Sequence, residues 1–288
     1  MELKGIVPAL VTPFDSCGNI NYEELKKLVK LLLEEGADGF YVTGSTGECF
    51  LLTDKERIQI TQTVTETVNG RVPVIAHIGN IGSRQAAELA REAEKVGVSA
   101  VSSVPPFYYD FSFDEIANYY GAISEATDLP VIVYNFPQYS GVSINASNLP
   151  QIIERCNVSG IKYTDSNLYE LERIRRLYPE LKIMFGQDEA FLYALPVGID
   201  GAIGSTYNFM LKKYKRILAA YQDGRMSEAE QIQHDACSII DAMLKVRDIT
   251  AVKYLLKRKG ISCGDCRAPF HPITAEEMRI LDQIGDLN

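Results

Sequence analysis

Histidine is scarce in this chain: His77, His234 and His271 are all it has, and only His77 falls at the end of an expected strand. A metal centre needs a cluster of His or carboxylate ligands, so this scarcity argues against one. No second C-x-x-C accompanies Cys263-Gly-Asp-Cys266, which leaves that pair short of a zinc site; a structural or incidental role is expected of it. No stretch approaches the roughly 18 consecutive apolar residues of a membrane span. The opening MELKGIVPALVTPF, interrupted by Pro8 and Pro13, lacks the pattern of a secretory leader and reads as a first strand. Six dispersed cysteines without such a leader point to reduced thiols and a cytoplasmic protein. A net charge of −9, with no basic cluster against it, argues against nucleic acid or an anionic membrane as partner. The KKYKR run at 212–216 is expected to be a solvated helix face.

What is present is an alternation. The chain has 288 residues, 46% hydrophobic and 23% charged, a normal size and composition for an α/β barrel. Strand-like runs at 5–14, 39–45, 72–79, 100–109, 130–137, 158–164, 182–187 and 201–207 are apolar on both phases, as parallel strands covered on both faces require. Helical periods separate them. Thr53 with Glu56, Asn21 with Glu24 and Ser112 with Glu115 give helix-start signals. Ile60, Val64 and Val68 form one core stripe, ended by Gly70; Leu25, Leu28, Val29 and Leu32 form another, ended by Gly36. The fold class expected is a (β/α)8 TIM barrel over 1–225 with a C-terminal helical extension over 226–288. An open doubly wound sheet is weaker, because no G-x-G-x-x-G follows the first strand.

In such barrels functional side chains stand at the carboxyl ends of strands. Lys162, in VSGIKYTD at 158–165, sits near the end of the sixth. Lys4 and Lys182 precede their strands, and most other lysines fall in helices or connections. A desolvated lysine loses its proton readily, and the neutral amine attacks carbonyls to form a Schiff base; the plainer reading is a lysine that snorkels or pairs with an acid. Tyr134 ends the fifth strand, one strand away, where a phenol can move protons or merely pack. TGSTGE at 43–48 places Ser45, Thr46 and Gly47 in a βα turn suited to a small carboxylate. Near the ends of strands seven and eight, Gly186, Asp188, Glu189 and Ser205 suit a neutral, hydroxyl-rich ligand better than a phosphate; the acids also suit a helix start. Tyr120 and Tyr221 are expected to pack.

Together ALVTPF, GSTGE, PPFYY, YNFP, GIKYTD and GSTYN, in this order and over nearly the whole chain, resemble the pyruvate-dependent aldolase family that includes N-acetylneuraminate lyase and dihydrodipicolinate synthase. The resemblance implies a carbon–carbon lyase in which Lys162 forms the imine and Tyr134 is the acid and base. Ser45, Thr46 and Gly47 would hold the pyruvate carboxylate. Tyr108, supplied by a neighbouring subunit, would complete a proton relay with Ser45 and Tyr134. Thr164, Gly186, Asp188, Glu189 and Ser205 would contact the sugar portion. It further implies a homotetramer and no cofactor, with sialic acid and pyruvate as small-molecule partners. Within the family the first motif favours the lyase branch. Tyr139 stands where the synthase branch carries an arginine for a second carboxylate, and Gln187 where an apolar or aromatic residue is usual. Another pyruvate aldolase, or a non-catalytic binding barrel, are the alternatives.

Overall fold

The computed structural model describes residues 3–287. Eight parallel strands run in sequence order around a barrel: β1 (Gly5–Pro8), β2 (Phe40–Val42), β3 (Val74–His77), β4 (Ala100–Ser103), β5 (Val131–Asn135), β6 (Val158–Tyr163), β7 (Lys182–Phe185) and β8 (Gly201–Gly204). β1 pairs with β8, and a single parallel bridge, Ala9 to Tyr41, draws β1 and β2 together. Between strands lie α1 (Tyr22–Glu34), α2 (Asp54–Val68), α3 (Ser83–Val96), α4 (Phe113–Ser124), the short α5 (Pro137–Ser140) and α6 (Leu149–Ile153), α7 (Leu168–Leu177) and α8 (Phe191–Ala194). After β8 come α9 (Tyr207–Gln222), α10 (Met226–Leu244), α11 (Asp248–Leu256) and α12 (Ala275–Asp282). No helix among the described residues is long and apolar enough to cross a membrane.

The strands are apolar on both phases because both faces are covered. Val7, Tyr41, Ile75, Ile132, Tyr134, Met184 and Ile203 pack together inside the barrel. Their neighbours Ile6, Val42, Val101, Val131, Val133 and Ile183 pack against the helices. Each helix buries one stripe: Leu25, Leu28, Val29 and Leu32 of α1 are fully buried, each worth about 1.5–3 kcal/mol. The start signals are real hydrogen bonds. Thr53 and Glu56 form a reciprocal capping box, as do Ser112 with Glu115 and Thr274 with Glu277, while the Asn21 side chain accepts from Glu24 N–H.

Three expectations are corrected. The strands are shorter than the apolar runs, and β4 stops before Val104-Pro105-Pro106, where proline has no N–H to offer a ladder. α2 reverses at Asn69, in the left-handed region at φ 48°, one residue before Gly70. The 212–216 run is not a solvated face throughout: Lys213 and Tyr214 are buried, and Lys215 pairs with Asp38 at 2.9 Å. α9 is kinked at Met210, so its buried stripe changes phase there. Lys182, at the opposite end of the barrel from the candidate site, pairs with Asp200 at 2.8 Å. Tyr120 does pack, its buried hydroxyl donating to Ser103 O at 2.8 Å.

Candidate active site

The register of β5 against β6 sets Tyr134 beside Lys162, both on the inward phase near the carboxyl ends of their strands. Lys162 is 4% exposed. Its ammonium nitrogen lies 4.3 Å from the centre of the Tyr41 ring and 4.1 Å from that of Tyr134. Two aromatic faces attract a cation, but they replace little of its hydration. Burial therefore pushes the Lys162 pKa down to about 7, against a smaller upward pull from Asp188 and Cys49. No described carboxylate forms an ion pair with it.

Tyr134 is 2% exposed and stacks on Phe136 with ring centres 5.7 Å apart. Burial raises its pKa, and the neighbouring Thr164 and Ser45 hydroxyls moderate the rise. Yet Thr164 Oγ1 has no hydrogen bond of good geometry; it stands beside the phenol rather than locked to it. His77 is engaged on both ring nitrogens, Nδ1 with Thr43 O at 3.1 Å and Nε2 with Val104 N–H at 3.4 Å. Burial holds its pKa well below the usual value, so it is a neutral structural ring. No group of three potential metal ligands exists among the described residues. Cys263 and Cys266 are buried free thiols.

The loop after β2 is a single 3-10 turn, Ser45–Gly47. As the first N–H groups of a helical turn, those of Ser45 and Thr46 have no partner within it. Thr12 Oγ1 donates to Gly47 O at 2.7 Å. Glu48 then turns the chain through the left-handed region at φ 60°. Its carboxylate enters the protein rather than the cavity: Oε2 accepts Arg267 N–H at 2.7 Å and Oε1 lies 2.5 Å from Lys253 Nζ of α11. The latter contact is an ion pair by distance, though its angle is not that of a hydrogen bond. Both side chains of that pair are fully buried.

A cavity of about 300 Å³ opens over these groups, lined by Ser45, Thr46, Tyr134, Lys162, Thr164, Gly186 and Ser205 among others. That volume suits a small ligand. The structure thus brings seven of the expected site residues into one wall. Gly47, Asp188 and Glu189 are not part of that lining. Asp188 stands behind it, with Oδ2 accepting from Thr206 N–H at 2.9 Å and Thr206 Oγ1 at 2.7 Å; burial pushes its pKa up to about 7. Tyr108 is 85% exposed and sits at φ 79°, outside the cavity. Tyr139 does line it, against Phe136; Gln187 does not. Beside it, an apolar pouch of about 390 Å³ shares Ser45, Phe136, Tyr139, Ile249 and Phe270.

Sequence reasoning missed the contribution of the C-terminal extension. Arg247, Asp248, Ile249, Thr250 and Phe270 complete the cavity wall, and nothing in their local pattern marks them. Two glycines are explained by what stands beside them. A Cβ on Gly186 would run into Thr164 Oγ1, and one on Gly204 into Asp188 Oδ1. Gly186→Ala is therefore expected to cost about 1–3 kcal/mol, the usual range for overpacking. Thermal unfolding measures this, and an unchanged midpoint would remove the steric argument.

The sequence matches the dihydrodipicolinate synthetase family over residues 2–284. A curated N-acetylneuraminate lyase of Citrobacter koseri is 39% identical over 274 residues, covering 94% of this chain and 92% of its own length. Among solved structures, CdNal of Clostridium difficile in complex with mannosamine superposes with a TM-score of 0.95 at 34% identity, covering 99% of this chain and 98% of that one. The dihydrodipicolinate synthase DapA-2 of Bacillus anthracis also superposes with a TM-score of 0.95, at 30% identity and the same coverage.

Proposed function

The chain belongs to the dihydrodipicolinate synthetase family, and from that premise we propose that it is an N-acetylneuraminate lyase, cleaving N-acetylneuraminate reversibly to N-acetylmannosamine and pyruvate. The observation that carries its imine chemistry is the Lys162 amine, buried between two aromatic rings without an ion-pair partner, a burial that pushes its pKa down to about 7. A substantial fraction of it is a free nucleophile at neutral pH. The neutral amine attacks C2 of the open-chain keto acid and water leaves, forming a protonated imine. When the C3–C4 bond breaks, its electron pair moves into that imine and gives an enamine. Protonation at C3 and hydrolysis release pyruvate and restore the amine. The imine is the electron sink, so the mechanism calls on no cofactor.

The proton from the C4 hydroxyl needs an acceptor, and Tyr134 is the group placed to take it. Burial keeps Tyr134 a neutral phenol, so it accepts that proton only while passing its own on. Ser45 is adjacent, and Tyr108 of a neighbouring copy would complete the relay with Ser45 and Tyr134. This role for Tyr108 rests on the family resemblance and on its 85% exposure; a homotetramer is the assembly it implies. The N–H groups of Ser45 and Thr46 face a keto-acid carboxylate, while that of Gly47 closes the turn on Gly44 O at 3.0 Å. Thr164, Gly186 and Ser205 face the sugar portion, with Asp188 and Glu189 behind and beside them.

Tyr134→Phe is expected to keep borohydride-trappable pyruvate on Lys162 while carbon–carbon cleavage falls about 10²–10⁴-fold, the usual worth of a general acid–base. Mass spectrometry of the reduced peptide and a cleavage assay read the two separately. Equal, unchanged rates would take Tyr134 out of the mechanism. The second reading is dihydrodipicolinate synthase, favoured by the Bacillus anthracis likeness. Tyr139 at the cavity wall supplies no cation for a second carboxylate. N-acetylmannosamine against aspartate semialdehyde as pyruvate acceptor separates the two readings. Pyruvate binding with no turnover on any aldehyde would point to a binding barrel.

A further inference from the structure

Asp248 opens α11, where an acid is favoured by the helix dipole for structural reasons alone. Its surroundings give it a second role. It lines the same cavity as Lys162, and Ser205, just after β8, donates its hydroxyl to Asp248 Oδ1 at 3.2 Å. With its proton committed there, Ser205 meets a ligand as an acceptor. Behind the wall, Asp188 is 5% exposed and its Oδ1 has no partner. That oxygen occupies the volume a side chain on Gly204 would fill, and Gly204 also lines the cavity. Thr164 Oγ1 is likewise buried and unpartnered. This end of the cavity is therefore rich in hydrogen-bond acceptors.

Its charge leans negative, with Asp188, Glu189 and Asp248 near this end against the single guanidinium of Arg247. The negative charge of Glu189 raises the pKa of both Asp188 and Asp248, and Asp248 adds to the rise at Asp188. The one cation in the wall apart from Lys162, Arg247, directs its Nη2 to His271 Nδ1 at 3.0 Å and to Glu277 at 3.7 Å, while its buried Nε has no partner. Asp248 is exposed at the mouth of the cavity; the protein around it raises its carboxyl to about 6, with Ser205 pulling it back down. It is mostly ionised at neutral pH.

We propose that Asp248 is a specificity-determining residue: with Ser205 it accepts hydrogen bonds from the hydroxyls of a polyhydroxylated aldehyde and repels an aldehyde whose tail carries a carboxylate. This rests on the aldolase reading and says which acceptors that site takes. Like charges brought together at a binding site discriminate against the wrong ligand, and a hydrogen bond to a charged group is weakened when the charge is removed.

The test is pyruvate addition to three aldehydes: N-acetylmannosamine, succinic semialdehyde as the acidic acceptor, and propanal as a short neutral one. Wild type, Asp248→Asn and Asp248→Leu are compared. In both variants the ratio of kcat/KM for the polyol over the acidic aldehyde is expected to fall about 10–100-fold, through KM of the acceptor rather than KM of pyruvate. Asn keeps the shape and loses the charge, so it should relieve rejection of the acid while Leu also loses polyol binding. Equal losses on all three aldehydes would mean a merely structural role and overturn the proposal, as would an unchanged ratio. Borohydride trapping of the pyruvate imine in each protein is read independently. No imine in wild type would overturn the aldolase reading itself, whereas imine with an unmoved acceptor ratio would overturn this inference alone.

Discussion

Lys162→Ala is expected to lose the pyruvate adduct trapped by borohydride and at least about 10⁴-fold in turnover, the scale seen when a covalent nucleophile is removed. Peptide mass mapping checks the first and a cleavage assay the second; an adduct on another lysine would refute the assignment. The same burial that makes the amine reactive leaves two further signatures. A lysine at its ordinary pKa is neutral in roughly one molecule in three thousand at pH 7, whereas Lys162, at about 7, is close to half neutral. Imine formation in the wild type should therefore rise as pH increases through about 7 and level off above it. Stability should carry the opposite side of the same linkage. The folded pKa lies below the unfolded 10.5, so the unfolded chain binds more protons between those values, and stability rises with pH across that window. Below pH 7 the full penalty is present, on the order of 4–5 kcal/mol. Lys162→Met is thus expected to melt higher than wild type at pH 6–7, with the gap closing towards pH 10–11. Equal melting at all pH values would show that the amine is not desolvated in the folded state.

The barrel was legible because parallel strands covered on both faces leave continuous apolar runs, and eight of them alternate with helical segments, four of which open on a side-chain cap. Lys162 was legible for the converse reason: an ammonium within such a run is costly, so it has to be used or paired. What stayed hidden had physical causes too. The apolar runs continue past the strands because loops such as Val104-Pro105-Pro106 lie under the rim and stay buried, so hydrophobicity cannot mark where the ladder ends. Lys213 was misread because the kink at Met210 shifts the phase that a straight helix would keep. The resemblance implies a sugar contact for Asp188; that two hydrogen bonds to Thr206 hold it behind the cavity wall does not show in its place after β7. Asp248 meets Ser205 across 43 positions of sequence, and a helix-start acid looks the same whether it faces bulk water or a cavity.

Lys253→Met is expected to destabilise the fold by about 3–5 kcal/mol, the cost of leaving one charge of a buried pair without the other. The Glu48 and Lys253 side chains are 0% and 1% exposed. Lys253 also lies 4.2 Å over the Phe14 ring and donates to Asp265 O at 3.2 Å. Methionine fills most of the lysine stem, so a cavity contributes little to the loss. The pair joins the last residue of the Ser45-Thr46-Gly47-Glu48 turn to a helix of the C-terminal extension, and Glu48 is held at a positive φ that a non-glycine residue adopts only when its surroundings fix it. Removing Lys253 should therefore loosen the turn as well as the fold. KM for pyruvate is expected to rise more than KM for the aldehyde if this turn holds the keto-acid carboxylate, as proposed. The double variant Glu48→Gln with Lys253→Met removes both charges and should regain most of the lost stability, since two neutral groups no longer carry an unpaired charge into the interior. Denaturant unfolding of the four proteins gives the coupling directly. Additive losses would show that the two charges do not depend on each other, and an unmoved KM for pyruvate would confine the pair to the stability of the barrel.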